Sequence, residues 1–205
     1  MKYNYYSGPI YSHGCGLNAA GAAYCWGYNQ YGNIGDGTTN NYRAVPTAVS
    51  GGLSFSKIES DAFSTCALTA AGVAYCWGYD VDGEVGDGTS GVDRLVPTAV
   101  DVSTLPLADQ TFSKIYVRYY TNCALTAAGK AYCWGNNMAG QLGDGSFVAH
   151  SSPAPVAGSL RFRSINAGPG QRSHTCGVTI SGAAYCWGWN NSGQLGDTTT
   201  TDRKV

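Results

Sequence analysis

The sequence predicts an all-β protein, a β-propeller or an open propeller arc of four repeats, each forming a roughly four-stranded antiparallel blade. One unit, Cys-Ala-Leu-Thr-Ala-Ala-Gly-Val-Ala-Tyr-Cys-Trp-Gly at residues 66–78, recurs in related form at residues 15–27, 123–135 and 176–188. Successive copies begin 51, 57 and 53 residues apart, and such a period is typical of repeat architectures. The 29 glycines and the many Thr, Tyr and Val residues favour strands and turns over helices.

Each unit is predicted to be a β-hairpin. In the second copy two alternating stretches flank a three-residue loop that ends at Gly72, and glycine enters the left-handed region without steric cost. Pairing outward from this loop places Cys66 opposite Cys76, on a rung where side chains approach closely. The spacing favours cross-strand disulfides, with buried thiols or metal ligands as the alternatives. The expected pairs are Cys15–Cys25, Cys66–Cys76, Cys123–Cys133 and Cys176–Cys186.

Besides the hairpin, each repeat contains two further strands. The first is a Pro-led strand, at which we begin the repeat. This strand starts at Pro46, recurs from Pro97 and recurs more loosely from Pro153, and a strand opened by proline fits a sheet edge. An apolar pair three residues apart, as in Phe55 and Ile58, marks the strand before the hairpin. We take residues 1–205 as a single repeat domain, with repeats at about 1–45, 46–96, 97–152 and 153–205.

A glycine-rich turn follows each hairpin. It reads Gly35-Asp36-Gly37 in the first repeat and recurs at residues 86–88, 143–145 and, in part, 196–197. We expect its aspartate to accept hydrogen bonds from backbone amides within the turn. A calcium loop is the alternative, because Asp80 and Asp82 weakly match alternating acidic ligands, but the terminal Glu of an EF-hand is absent.

In chain order the motifs Pro-x-x-Val, Phe-x-x-Ile, Cys-Ala-Leu-Thr, Gly-x-Ala-Tyr-Cys-Trp-Gly and Gly-Gln-Leu-Gly-Asp-Gly resemble the regulator-of-chromosome-condensation repeat family. The resemblance covers nearly the whole chain from Cys15 onward. It implies a propeller fold, and the eukaryotic founding member promotes nucleotide exchange on a small GTPase and binds chromatin. The cysteine-paired repeats are similar to the bacterial exported branch, which includes a protein inhibitor of β-lactamase. No basic tail or exchange wedge is recognisable, so the GTPase role is not implied here.

Composition argues against several classes of protein. The chain has 12 Lys+Arg and 13 Asp+Glu without a basic stripe, so nucleic-acid binding is not expected. No run of about 20 apolar residues exists to insert into a membrane. His13, His150 and His174 stand at different repeat positions and no catalytic or phosphate-binding motif appears. We therefore predict no enzyme activity, cofactor or bound metal.

Eight cysteines in matched pairs predict an oxidising, extracellular or cell-surface location. Residues 1–6 lack the apolar core of a signal peptide, so we expect a portion of a longer precursor. The chain ends one residue before a further Pro-led strand would begin, and Pro9 lies too close to Cys15 to supply it. We expect an open arc completed by further sequence or by a neighbouring copy, with a compact four-bladed ring as the alternative.

Candidate binding residues lie where the repeats differ. The segment before each first cysteine varies most, with Tyr11 in the first repeat, and an insertion lengthens residues 101–107. The Trp of each Cys-Trp-Gly is predicted to pack between blades, whereas Trp189, which we align with Tyr28, Tyr79 and Asn137, has no Trp counterpart. Tyrosine and arginine are enriched in binding hot spots, although the tyrosines could instead cover their own blades. The candidates are Tyr116, Arg118, Tyr119, Tyr120, Arg172, Leu105 and Trp189.

These features predict a non-enzymatic extracellular or surface-displayed scaffold that binds a protein or glycan through blade-edge loops. One alternative is a structural subunit of an extracellular filament, sheath or tail appendage that self-associates through open blade edges. A lectin-like or calcium-dependent module is the third hypothesis.

Overall fold

The structure is a computed structural model that describes residues 12–205, so the expectations for Pro9 and Tyr11 lie outside the described residues. Within the described residues, alternating and aromatic-rich stretches form fourteen strands, joined by glycine-rich turns and a single 3-10 turn at Leu107–Asp109. Within residues 12–205 no helix has the length and apolar character needed to cross a bilayer. The strands are β1 (His13–Leu17), β2 (Ala23–Tyr28), β3 (Tyr42–Ala48), β4 (Lys57–Asp61), β5 (Ser64–Leu68), β6 (Ala74–Gly78), β7 (Arg94–Ala99), β8 (Lys114–Arg118), β9 (Thr121–Leu125), β10 (Ala131–Gly135), β11 (His150–Pro155), β12 (Phe162–Ala167), β13 (His174–Thr179) and β14 (Ala184–Gly188).

The strands form four antiparallel sheets, which confirms the predicted all-β, blade-by-blade architecture. Blade 1 consists of β1–β3, blade 2 of β4–β7, blade 3 of β8–β11 and blade 4 of β12–β14. Neighbouring strands in each sheet are also neighbours in the chain. The core lies between blades, where the face of one sheet packs on the next.

The Pro-led strand belongs to the preceding hairpin rather than to the following one. In blade 2, Thr98 of β7 pairs with Cys76 of β6, and β7 forms the outer edge of the sheet. Proline lacks an N–H, so this strand is suited to an edge. The structural blade therefore begins at the Phe-x-x-Ile strand and ends at the Pro-led strand. The repeat defined from the sequence began at the Pro-led strand, so its boundaries are shifted by one strand relative to the blade.

The predicted hairpin register and all four disulfides are confirmed. Cys66 pairs with Cys76 in the strand register, and the four bridges join the expected cysteines with Cα atoms 4.1 Å apart. At the hairpin loop the Thr69 N–H donates to the Val73 carbonyl (3.0 Å), and Gly72 has φ +81°. The left-handed glycine thus fixes the register that brings the cysteines together.

Neighbouring blades are joined by two repeated hydrogen bonds to backbone carbonyls. The indole N–H of Trp77 donates to Asn33 O (3.0 Å), and Trp134 and Trp187 donate to the equivalent carbonyls of blades 2 and 3. In blades 1–3 the hairpin glycine carbonyl accepts the N–H of the next blade's Phe, as Gly72 does from Phe112 (2.8 Å). These three tryptophans are at most 2% exposed, which confirms inter-blade packing, whereas Trp26 is 39% exposed.

We expect Gly86→Ala to lower the free energy of unfolding by about 2–3 kcal/mol. Gly86 has φ +80°, and a Cβ there would lie 2.7 Å from Nε1 of the buried Trp134. Gly196→Ala is the matched control, because Gly196 has φ +68° but no neighbour within 4 Å of the added Cβ. The control should lose only the backbone cost of about 1 kcal/mol. Equal losses in urea unfolding would show that close packing under the indole is unimportant.

Candidate binding surface

One end of the blades, which we call the turn face, carries the turn between the first two strands and the loop after the Cys-Trp-Gly strand. Backbone hydrogen bonds hold these two segments together in each blade: the Tyr79 N–H donates to Phe63 O (3.0 Å) and the Asn136 N–H to Tyr120 O (2.8 Å). Side chains from the variable turns and from the loops therefore project from the same end of the protein.

An aromatic cluster on the turn face joins three successive blades through Tyr31, Phe63, Tyr79, Tyr119 and Tyr120. Ring centroids are 5.1 Å apart for Tyr31–Tyr79, 5.4 Å for Phe63–Tyr120 and 5.6 Å for Tyr79–Tyr120. The Phe63–Tyr119 pair lies at 5.9 Å and edge-on, a favourable geometry for aromatic contacts. All five side chains are partly exposed. The cluster contains the predicted Tyr119 and Tyr120, but sequence reasoning missed the other three rings.

The two-residue turns that present these rings are conformationally strained. Ala62 and Tyr119, the first residues of the turns in blades 2 and 3, have φ +29° and +25°. Glycine usually occupies this position in such hairpin turns, and a non-glycine residue there costs of the order of 1 kcal/mol. The turns thus hold Phe63 and Tyr120 against the cluster in an unfavourable backbone conformation, a feature often found at functional sites.

Carboxyl groups lie beneath the rings. Glu84 is fully buried and its Oε2 accepts the Asp82 N–H (2.8 Å), while Asp82 Oδ2 accepts a hydrogen bond from Asn136 Nδ2 (2.7 Å). Burial, and then the charge of Glu84, raises the pKa of Tyr79 to about 12. Burial also raises the pKa of Tyr120. Both phenols therefore keep their protons near neutral pH and can donate hydrogen bonds to a partner.

The candidates Arg118, Arg172 and Tyr116 lie outside the aromatic cluster. Arg118 connects three blades, because Nε donates to Asn166 Oδ1 (3.1 Å) and Nη1 lies 4.0 Å from Asp61 Oδ2. Arg172 is exposed in the turn between β12 and β13. Tyr116 is half-buried on β8, where it packs against the core between blades 3 and 4.

The profile of the "Regulator of chromosome condensation (RCC1) repeat" matches residues 20–68 and 128–177, and a second profile of the same repeat matches residues 163–194. The chain belongs to the RCC1 repeat family. The chain is 31% identical over 193 residues to the ultraviolet-B receptor UVR8 of Arabidopsis thaliana, covering 93% of this chain and 42% of UVR8. It is 33% identical over 198 residues to the human E3 ubiquitin-protein ligase HERC2, covering 94% of this chain and 4% of HERC2.

Solved RCC1-type structures show the same fold. Yeast RCC1 (Prp20), solved with Kap60, superposes with a TM-score of 0.79 at 22% identity over 94% of this chain and 45% of that one. Human WBSCR16 gives a TM-score of 0.78 at 20% identity over 94% of this chain and 49% of that one. The chain thus spans less than half the length of these relatives.

Among the RCC1 repeats, blade 4 places Trp189 where blade 3 has Asn136. The Trp189 N–H donates to Ser173 O (2.9 Å), as the Asn136 N–H does to Tyr120 O. Our alignment of Trp189 with Asn137 was therefore wrong by one residue. Trp189 is partly exposed on the turn face, and its Nε1 is buried with no partner among residues 12–205.

The insertion at residues 101–107 lies at the opposite end of the RCC1 repeats, so it does not join the turn face. It leaves the sheet where Val100 N–H donates to Ala74 O (3.0 Å) and returns where Phe112 N–H donates to Gly72 O, beside the hairpin loop of blade 2. Leu105 is only 7% exposed and packs in the core between blades 2 and 3. We therefore reassign Leu105 from binding to packing. The insertion folds back onto the blades because the apolar side chain of Leu105 is buried in this core.

Several charged and polar side chains elsewhere in the RCC1 repeats are engaged in the fold. Asp87 Oδ1 accepts the Thr89 N–H (2.9 Å), which confirms the predicted turn contact, and its Oδ2 binds Arg94 Nε (2.6 Å). His13 contacts Thr65 Oγ1 at 2.6 Å, and burial lowers its pKa to about 4. Within residues 12–205 no three His, Cys, Asp or Glu side chains are grouped to hold a metal ion.

Proposed function

We propose that the protein is a non-enzymatic binding scaffold, extracellular or displayed at a cell surface, which contacts its partner through the aromatic cluster on the turn face. The observation that carries this proposal is the convergence of partly exposed rings from three blades at one end of the fold. Tyrosines combine a rigid apolar ring with a hydroxyl donor and are enriched at binding hot spots. The four disulfides support an oxidising location.

A protein is the favoured partner class, with a glycan as the other. Yeast Prp20 is described bound to Kap60 and with binding properties to Gsp1p and histones, so protein binding is compatible with the fold. We carry over none of these partners. Arg118, which directly precedes Tyr119, and the exposed Arg172 in the β12–β13 turn add a side-chain type that is enriched in protein–protein hot spots.

The double substitution Tyr119→Ala/Tyr120→Ala should weaken partner binding at least tenfold, because it removes two rings from the cluster. The variant also loses ring contacts with Phe63 and Tyr79, so we expect a modest loss of stability that leaves the protein folded at the temperature of the binding assay. Tyr185→Ala is the matched control, since Tyr185 is 45% exposed on β14, outside the aromatic cluster. Immobilised wild-type and variant proteins are compared by mass spectrometry of proteins retained from the host's secreted fraction and by binding to a glycan array.

Loss of the same partner from the double variant, but not from the Tyr185 control, supports the proposed surface. Identical retention by all three proteins, or lost stability with intact binding, assigns Tyr119 and Tyr120 to packing and overturns it. Retention of array glycans with no protein identifies a glycan-binding surface.

A second candidate, a structural subunit, is favoured by the outer edge of blade 4. The equivalent edges of blades 1–3 are covered by β3, β7 and β11, whereas β14 meets a single isolated bridge, Gly188–Arg203, within the described part of the chain. An edge of this kind attracts strands from other chains if no further strand of the same protein covers it. Light scattering on dilution distinguishes the two candidates, because a scaffold stays monomeric whereas a structural subunit self-associates. If the protein self-associates through the edge of β14, Tyr185→Ala should alter its assembly.

A further inference from the structure

Blade 2 differs from the other blades by having acids in place of amides at two buried loop positions. Glu84 stands where the other repeats have Asn33, Gln141 and Gln194, and Asp80 stands where they have Asn29, Asn137 and Asn190. Both Glu84 and Asp80 are 0% exposed. Blade 2 can therefore be compared with the other blades to find the effect of an acid in place of an amide at the same structural position.

Blade 3 shows what the amides do. Gln141 Oε1 accepts the Ala139 N–H (2.9 Å), while its Nε2 donates to Asn136 Oδ1 (2.8 Å) and to Gln171 O of the next blade (2.9 Å). Asn137 likewise accepts the Leu142 N–H (2.9 Å) and donates from Nδ2 to Val148 O (3.0 Å). Each amide thus accepts one loop hydrogen bond and donates others that tie the loop to its surroundings.

Blade 2 keeps the accepting half of this arrangement and lacks the donating half. Glu84 Oε2 accepts the Asp82 N–H, and Asp80 Oδ1 accepts the Val85 N–H (2.9 Å). The remaining oxygens, Glu84 Oε1 and Asp80 Oδ2, are buried with no hydrogen-bond partner among residues 12–205. An ionised carboxylate cannot donate, whereas a protonated carboxyl supplies one O–H donor where the amide supplies its N–H.

The charged groups around these two acids are mostly acidic. Glu84 faces the carboxyls of Asp82 and Asp80 from its own loop, and Asp80 faces Asp87 and Asp93, with Arg94 as the opposing cation. Blade 3 contributes neutral groups around Glu84, namely the backbone of Gly135, the amide of Asn122, the indole of Trp134 and the phenol of Tyr120, and blade 2 itself contributes the phenol of Tyr79. Burial, reinforced by these acids, raises the pKa of Glu84 to about 8 and that of Asp80 to about 6.

We propose that residues 79–93 form a pH-sensitive element in which Glu84 and Asp80 bind protons and then supply the hydrogen-bond donors that Gln141 and Asn137 supply in blade 3. Acidification from pH 8 to pH 5 then removes buried negative charge from this loop and stabilises the folded protein. The proposal concerns the folded protein itself and does not depend on the identity of any partner.

The direction of the pH effect follows from the raised pKa values. Between the ordinary pKa of a glutamic acid, 4.5, and the folded value of about 8, the folded protein holds a proton that the unfolded chain has released. The stabilisation that comes from this proton is therefore fully present at the low-pH end of this window and is lost as the pH rises. For one proton, the unfolding equilibrium constant increases about tenfold per pH unit.

Urea unfolding at pH 5, 6, 7 and 8 tests the proposal with four proteins: wild type, Glu84→Gln, Asp80→Asn and the reverse substitution Gln141→Glu. We expect Glu84→Gln to remove most of the wild-type slope and to be the more stable protein at pH 8. Asp80→Asn should flatten the curve only below about pH 6, and Gln141→Glu should steepen it. A wild-type slope retained by Glu84→Gln overturns the proposal.

Carbon-13 NMR titration of the Glu84 carboxyl in the wild-type protein provides a readout that needs no variant to fold. A midpoint above pH 6.5 supports proton retention by Glu84, and any midpoint at or below that pH overturns it.

Discussion

Replacing Trp134 by alanine is expected to lower the free energy of unfolding by about 3–5 kcal/mol. The indole is 0% exposed, packs beside Phe112 with ring centroids 6.4 Å apart, and donates from Nε1 to Glu84 O (2.9 Å). Asn122 Nδ2 also donates to this carbonyl (2.7 Å), so the carbonyl keeps a partner in the variant. The loss measured by urea unfolding should therefore report mainly the cavity between blades 2 and 3.

Trp26→Ala provides the matched control within the same motif. Trp26 also belongs to a Cys-Trp-Gly sequence, but its side chain is 39% exposed. We expect it to lose clearly less stability than the Trp134 variant, because less apolar surface is buried. Comparable losses at the two positions would contradict the assignment of Trp134 to inter-blade packing.

Removing all four disulfides is expected to abolish folding at 37 °C. Each bridge joins cysteines ten residues apart, for which loop entropy gives about 2–3 kcal/mol. Four such losses sum to roughly 10 kcal/mol, which is comparable to the whole stability of a typical domain. The measurement is circular dichroism before and after reduction, with non-reducing peptide mapping to establish the pairs.

Two single-bridge variants serve as controls for that experiment. Cys66→Ala/Cys76→Ala removes a bridge between fully buried cysteines, and Cys176→Ala/Cys186→Ala removes one between partly exposed cysteines. Because the loops have equal length, the entropic model predicts similar losses of about 2–3 kcal/mol. Cysteines mapped as free or paired between blades, or unchanged unfolding after full reduction, would contradict the prediction.

The parts of the fold that depend on short-range chemistry could be predicted from the sequence. The left-handed Gly72 sets the hairpin loop, and the loop sets the register of Cys66 and Cys76. The side on which the Pro-led strand pairs could not be predicted in the same way, since Pro97 lies between two hairpins in the chain. Only the completed sheet shows that β7 pairs with β6.

The aromatic cluster on the turn face was predicted only in part for the same physical reason. Tyr119 and Tyr120 stood out because they interrupt the repeat, but Tyr31 and Phe63 come from other blades and meet them only after packing. A signal did exist, because Phe63 and Tyr120 each lie three residues before the first cysteine of their hairpins. For Leu105, the sequence revealed an insertion but not that its leucine returns to the core.

The carbonyl-based contacts between blades have a consequence for how such proteins change during evolution. The bonds from Phe55 to Gly21, from Phe112 to Gly72 and from Phe162 to Gly129 all end on a main-chain oxygen, which every residue possesses. A blade therefore finds the same acceptor on whichever blade precedes it. Gene duplication or deletion of one whole repeat therefore preserves these main-chain hydrogen bonds at the new junction, and only the side chains that differ between junctions have to repack.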